Sequence, residues 1–264
     1  MKQLNAVLDG ANRTLRATIR PGSALWDTAR FVKRNLDRIR YRNPVNRRRW
    51  RANSRKFEDA LDARQRIVRD FWFIQVGACD GVTDDLIRER VKTHRWHGIL
   101  IEPQRHEFER LKQHYAAEAD RLIFENVAIA AERAERVLYK VNHDRIQADF
   151  QRGLASFFPL KGVHDPAMIA TEMVRCVTFD DILSLHPVPR VDLLQIDFEG
   201  YDYEILKLAH LERFKPRLIR YEHKHLSFQD TADCKAYLRR NGYSVLPMGY
   251  DTGAILQNPP SDPA

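Results

Sequence analysis

The stretch FWFIQVGACDG, residues 71–81, decides the fold. Phe71, Trp72, Phe73, Ile74 and Val76 form a near-continuous run of β-formers, the pattern of a central parallel strand covered on both faces. Gly77 and Gly81 bracket the turn that follows, where glycine lets backbone N–H groups approach a ligand, and Asp80 adds an acceptor at the edge of the next helix. A tight strand-to-helix connection uses the same glycines, so the motif alone outlines a nucleotide-type site without establishing one.

Downstream, residues 84–93 read as a helix and Gly98-Ile99-Leu100-Ile101 as a short buried strand closing at Glu102-Pro103. Glu102 lies 25 residues beyond Gly77. In nucleotide-binding α/β sheets an acid closing the second strand, about 20 residues on, accepts hydrogen bonds from ribose hydroxyls. A helix over 108–115 leads to a third strand over 122–128, which puts Asn126 at the carboxyl edge of the sheet, where an adenine would lie. Residues 137–141 read as an additional strand. Residues 142–170, with Ser156-Phe157-Phe158-Pro159, read as an ordered loop and candidate substrate cover.

The run DLLQIDFEG, 192–200, is a further buried strand that delivers Asp197 and Glu199 to the same edge as Gly77 and Glu102. After a helix over 203–209, a fifth main strand over 217–222 is followed by His223 and His225, and a histidine facing the acids there can accept a proton. A helix over 232–241 closed by Gly242, then an antiparallel pair over 243–247 and 252–256, completes the core.

Upstream of the central strand the charge changes character. Residues 1–55 hold 15 Lys plus Arg against 3 Asp plus Glu, so the chain's net +8 is +12 in this segment and −4 in the rest. After a turn at Pro21-Gly22-Ser23, Leu25, Ala29, Val32, Leu36 and Ile39 make one apolar helical stripe that ends near Asn43-Pro44. A second helix over 54–69 turns Phe57, Leu61 and Val68 inward. The run Arg47-Arg48-Arg49-Trp50-Arg51 suits phosphates, an anionic lipid surface or an acidic partner, and reads more simply as a solvated face over the main domain. A single aromatic among the arginines argues against a nucleic-acid module.

Cys79, Cys176 and Cys234 are odd in number and widely spaced, so neither a disulfide framework nor a zinc knuckle is indicated, and a reducing compartment is expected. No window approaches the ~20 apolar residues that span a bilayer, and no signal peptide is evident. The expectation is a cytoplasmic protein, at most peripheral to a membrane through residues 25–51. Its length suits a basic, mainly helical extension (1–69), one α/β domain (70–257) and a short tail (258–264).

VGACDG at 76–81, IEP at 101–103, ENVAI at 125–129, TFDDIL at 178–183, LLQIDFEGYDYEIL at 193–206 and IRYEHKHL at 219–226 together resemble the FkbM-type methyltransferases, over about residues 71–256. The resemblance implies a Rossmann-like seven-stranded sheet with the last strand antiparallel, and S-adenosylmethionine as cofactor. It implies that Gly77, Asp80 and Gly81 surround the methionine part of that cofactor, Glu102 holds the ribose and Asn126 lies near the adenine. It also implies O-methylation of a hydroxyl on a sugar, glycan or natural product. An alcohol needs help to become a nucleophile. Asp197, Glu199 and His223 are the candidate bases, with His225 behind them, and a divalent metal on Asp197 and Glu199 would serve the same end.

Two other enzyme classes fit less well. A nicotinamide dehydrogenase would carry the third glycine of G-x-G-x-x-G, which the turn lacks. A nucleic-acid amino-methyltransferase would carry an Asn or Asp, Pro, Pro, aromatic motif where this chain reads Asp197-Phe198-Glu199-Gly200. The alternative outside enzymology is a non-catalytic Rossmann-like binding module, recruited to an anionic surface by its basic arm.

Overall fold

In the structure, a computed structural model, residues 41–160, 163 and 165–259 are described. A long helix, α1 (Pro44–Ile67), leads into β1 (Trp72–Val76), followed by α2 (Arg88–Thr93), β2 (His97–Ile101), α3 (Arg105–His114) and β3 (Leu122–Glu125). Four strands then leave the main sheet: β4 (Ala128–Ile129), β5 (Ala134–Val141), β6 (Ala155–Ser156) and β7 (Ile169–Val177). The chain returns through α4 (Phe179–Leu185) to β8 (Leu193–Ile196), α5 (Asp202–Leu208), β9 (Leu218–Glu222), α6 (Phe228–Arg240) and the hairpin β10 (Tyr243–Met248) and β11 (Asp251–Leu256).

The main sheet has seven strands in the order β10-β11-β9-β8-β1-β2-β3. β1 sits inside it, parallel to β2 and β8, with Ile74 in register with Ile99 and Leu194. β11 runs antiparallel to both β9 and β10, so the last strand is the reversed one, as the sequence implies. Every β1 residue from Phe73 to Val76 is buried, which is why the run shows no polar alternation. One face packs Ile74, Val76, Ile99 and Ile196 under α4, α5 and α6. The other packs Phe73, Leu100, Trp96 and Leu193 with Phe57 and Leu61 of α1.

Four sequence expectations change. Helix α1 starts at Pro44 and runs through the arginine cluster instead of starting at Ser54. Asn43 caps it by accepting from the Val45 N–H at 2.9 Å, and proline at the first turn costs no hydrogen bond. α2 starts at Arg88 rather than Asp84, because Asp84 has φ of 53° and Asp85 accepts from the N–H groups of Ile87 and Arg88 instead. The predicted strand over 122–128 is two: β3 ends at Glu125, and β4 joins a second sheet.

The fourth change is the largest. Residues 142–170 are not a free cover alone. Their C-terminal end enters β7, which pairs antiparallel with β5 along its whole length, from Ala134 opposite Cys176 to Val141 opposite Ile169. With β4 and β6 it makes a four-stranded sheet. The expected helix over 25–39 and the turn before it lie outside the described residues.

Candidate active site

The carboxyl ends of β1, β2, β8 and β9 bring the site together. Gly77 follows β1 with φ of +81°, and a Cβ there would stand 1.9 Å from the carbonyl oxygen of Asp197, so no other residue fits. Gly81 is equally confined, by Leu111 of α3 and Tyr115. Between them Cys79 also takes a left-handed conformation (φ 47°), which aims its N–H at Glu102.

Glu102 is buried. One carboxylate oxygen accepts from the Cys79 N–H at 2.8 Å and the other from the Gln104 N–H at 2.7 Å. Burial pushes its pKa up to about 7 against those two bonds, with the Glu107 charge adding to the rise. Each oxygen keeps a lone pair for another donor. Asp80 is spent differently: its carboxylate accepts from the N–H groups of Val82 and Thr83, the Thr83 hydroxyl and Arg110. Burial alone would raise its pKa, but the Thr83 N–H and the Arg110 guanidinium hold it below the ordinary range. Asn126 donates to the carbonyls of Glu102 and Pro103 at 2.8 and 3.1 Å, locking the ends of β2 and β3 together.

The acids cluster opposite. Asp197 ends β8 and Glu199 follows in a left-handed conformation (φ 43°), held by the buried Asp202 carboxylate, which accepts from the N–H groups of Phe198 and Gly200. Glu222 is the last residue of β9, and His225 lies just beyond. His225 Nε2 is 3.3 Å from Glu199 Oε2 and 3.5 Å from Glu222 Oε2. Lys224 Nζ stands 3.9 Å from the other Glu222 oxygen.

Desolvation is the first cause that raises all three carboxylates, and neighbouring like charge adds to it. Desolvation and then Asp251 lift Asp197 to about 6, although its side chain reaches the open floor of the cleft. Desolvation and Asp197 lift Glu199 to about 7. Glu222, with both neighbours against it, reaches about 9. His223 is placed apart: it is buried, its Nδ1 lies 2.9 Å from the Thr252 hydroxyl, and its N–H donates to the Tyr250 carbonyl, so it joins β9 to the hairpin.

The second sheet reaches this cluster through Phe157, whose ring packs against Phe198 and Tyr201 at 5.5 and 5.6 Å. Of the residues expected from the sequence, Gly77, Glu102, Asp197 and Glu199 all follow the carboxyl ends of adjacent strands, and Gly77 packs on the Asp197 backbone. The sequence places Glu222 at a strand end without marking it as a site residue. Its signal was positional, since it closes its strand as Glu102 closes β2.

This is an α/β protein of the Rossmann-like class, with a glycine turn, a strand-end acid and an acid cluster at the switch edge of its sheet. Residues 75–245 match the methyltransferase FkbM domain, and the chain belongs to that family. No curated protein sequence matches it. Among solved structures, an FkbM methyltransferase from Methylobacillus flagellatus KT is similar at 16% identity and a TM-score of 0.46, over 72% of this chain and 45% of that one. The methyltransferase domain of METTL16 is similar at 12% identity and 0.46, over 77% and 66%. The Methanococcus jannaschii fibrillarin pre-rRNA processing protein is similar at 14% and 0.41, over 72% and 68%. The chain thus spans less than half of the Methylobacillus protein.

Proposed function

We propose that the protein transfers a methyl group from S-adenosylmethionine to a hydroxyl of a sugar, glycan or other small natural product. The observation that carries this reading is that Gly77, the buried Glu102, Asp197 and Glu199 all follow the carboxyl ends of the adjacent strands β1, β2 and β8, with Gly77 packed on the Asp197 backbone. The residues fit the cofactor: Gly77 leaves a backbone surface that a Cβ would fill, and Glu102 keeps acceptor capacity for a ribose diol. When bound, the cofactor supplies an electrophilic methyl group on a sulfonium.

This chain's residues then have three tasks. The glycine turn and Glu102 fix the donor, and proximity of a correctly aligned acceptor contributes on the order of several kcal/mol. A carboxylate of the cluster would take the proton of an acceptor hydroxyl aligned with the methyl group that the bound cofactor would supply. A base with a pKa near working pH is the effective one, which favours Asp197 at about 6 and Glu199 at about 7 over an ordinary carboxylate. His223, turned to Thr252, acts from behind by holding β9 and β11 in place. Phe157 packs the second sheet on the Phe198 ring, between Asp197 and Glu199 in the chain.

The arginines Arg47, Arg48, Arg51 and Arg55 share one side of α1, away from the buried Phe57 and Leu61. That face supports contact with an anionic surface or acidic partner alongside the catalytic reading. The decisive experiment is calorimetric titration with S-adenosylmethionine and its demethylated product. Micromolar binding that Glu102→Ala removes supports the transferase; a folded wild type that binds neither compound overturns it.

A further inference from the structure

Glu199, Glu222 and His225 come from two different strand ends, yet one ligand atom of each lies within 4.8 Å of the others. The spacing has a chemical meaning. A cation about 2.1 Å from each of several ligands holds neighbouring ligand atoms roughly 3.0–3.5 Å apart, for octahedral through tetrahedral arrangements. His225 Nε2 is already 3.3 Å from Glu199 Oε2 and 3.5 Å from Glu222 Oε2. We infer that Glu199, Glu222 and His225 form a divalent-cation site on the acceptor side of the cleft, an inference that rests on the methyl-transfer reading for its catalytic meaning but not for its existence.

The arrangement is built rather than incidental. The buried Asp202 fixes the Phe198–Gly200 loop from below through two backbone N–H groups. A Cβ on Gly200 would lie 3.2 Å from the His225 Cβ, so the two loops that carry the donors are packed against each other. Glu199 and Glu222 turn their Oε2 atoms to the same imidazole nitrogen, while Lys224 Nζ stands 3.9 Å from the other oxygen of Glu222. The His225 side chain is 37% exposed and the two glutamates 20% and 16%, so the centre is anchored on protein on one side and open to water or an acceptor on the other.

The donor set selects the ion. Two carboxylates and one imidazole suit Mn²⁺, with Mg²⁺ and Zn²⁺ as neighbours in preference, and the absence of thiolate from the set disfavours Cu⁺. The other grouping of this type among the described residues is His106, Glu107 and His143. There Arg110 and Arg152 stand 3.4 and 3.5 Å from the Glu107 carboxylate, and a cation would have to displace them. At Glu199, Glu222 and His225 the neighbouring cation is Lys224, 3.9 Å from Glu222. A hydroxyl bound at an open position of such a centre would have a lowered pKa.

The test is Mn²⁺ titration followed by electron paramagnetic resonance, in the absence of S-adenosylmethionine, on wild type, Glu222→Gln and His225→Ala. Far-UV circular dichroism and calorimetric S-adenosylmethionine binding on the same samples report folding and the cofactor site separately. The expected result is one Mn²⁺ bound per chain, weakened in each variant by more than the roughly 10–100-fold that losing an outer-shell partner costs. Cofactor binding should be unchanged. Mn²⁺ affinity that is absent from the folded wild type, or that survives in both folded variants, overturns the inference. Mn²⁺ binding without cofactor binding would keep the ion site and remove the methyl-transfer reading.

Discussion

The carbonyl oxygen of Asp197 stands 1.9 Å from the position a Cβ would take on Gly77. The ends of β1 and β8 are therefore in backbone contact at the floor of the cleft, and the glycine turn and the acid cluster share one wall. A change at Gly77 must be felt by Asp197.

Gly77→Ala should abolish S-adenosylmethionine binding and lower the melting temperature. The alanine pays about 1–2 kcal/mol for its left-handed backbone and must in addition push β8 away. Gly249→Ala is the control, because Gly249 also has positive φ (85°) but nothing lies within 4 Å of its Cβ position. It should cost only the backbone part and leave cofactor affinity intact. Equal losses in the two variants would mean that the contact with Asp197 has no consequence.

The pH dependence of stability follows from the raised acids. A carboxylate whose folded pKa exceeds its unfolded value favours folding below the unfolded value and loses that contribution as pH rises through the folded one. Glu199 moves from an ordinary 4.5 to about 7, Glu102 likewise to about 7 and Glu222 to about 9, each chiefly through desolvation. The melting temperature should therefore fall between pH about 5 and about 9. Glu222→Gln should flatten the upper part of that curve and stabilise the protein near pH 8.5. A melting temperature that rises across this interval would contradict the crowding of Asp197, Glu199 and Glu222.

The main sheet was legible because its strands are buried on both faces. WFIQV, HGILI and LLQI carry few polar residues, and such runs have few alternative structures. Of the second sheet, β5 was legible as a strand over 137–141; β7 (IATEMVRCV) was not, since it is half-solvated, with Glu172 and Arg175 interrupting its apolar residues. Its partner β5 lies across a long connection. Gly77, Glu102, Asp197 and Glu199 were legible as strand-end residues. The separation of His223 from His225 was not, because whether each turns inward depends on contacts with Thr252 and Gly200 from distant segments. Start points also escaped, as at α1, where Asn43-Pro44 looks like a stop and is a cap followed by a first-turn proline.

Phe157 ties the second sheet to the acid loop. It packs on Phe198 and Tyr201, and the Arg136 guanidinium lies 4.3 Å from its ring centre. Phe157→Ala should loosen that sheet by a few kcal/mol, about 3–5 for a well-buried aromatic. Hydrogen exchange should rise in β5 to β7 and stay unchanged in β1, β2 and β8. Once an acceptor is known, its KM should increase while S-adenosylmethionine affinity holds. Loss of cofactor binding instead would place the ring in the donor half of the cleft.

The opposite end of the sheet makes a separable prediction. Asp192, fully buried before β8, accepts from Arg64 Nε at 2.7 Å, Arg190 Nε at 3.1 Å and the Trp72 N–H at 2.8 Å. One carboxylate thus joins α1 to the starts of β1 and β8. Removing its charge by Asp192→Asn breaks the ion pairs with Arg64 and Arg190 and should cost about 3–5 kcal/mol in urea unfolding. Arg64→Gln leaves Arg190 in place and should cost less, about 1–3 kcal/mol. Both variants act at the amino ends of the strands, so neither should alter S-adenosylmethionine affinity at the carboxyl ends. A larger loss for Arg64→Gln would show that α1 is held by something other than Asp192. The lost packing of the arginine stem, or a shift of Phe57 away from Gly253, where a Cβ would meet its ring at 2.5 Å, would then be the cause.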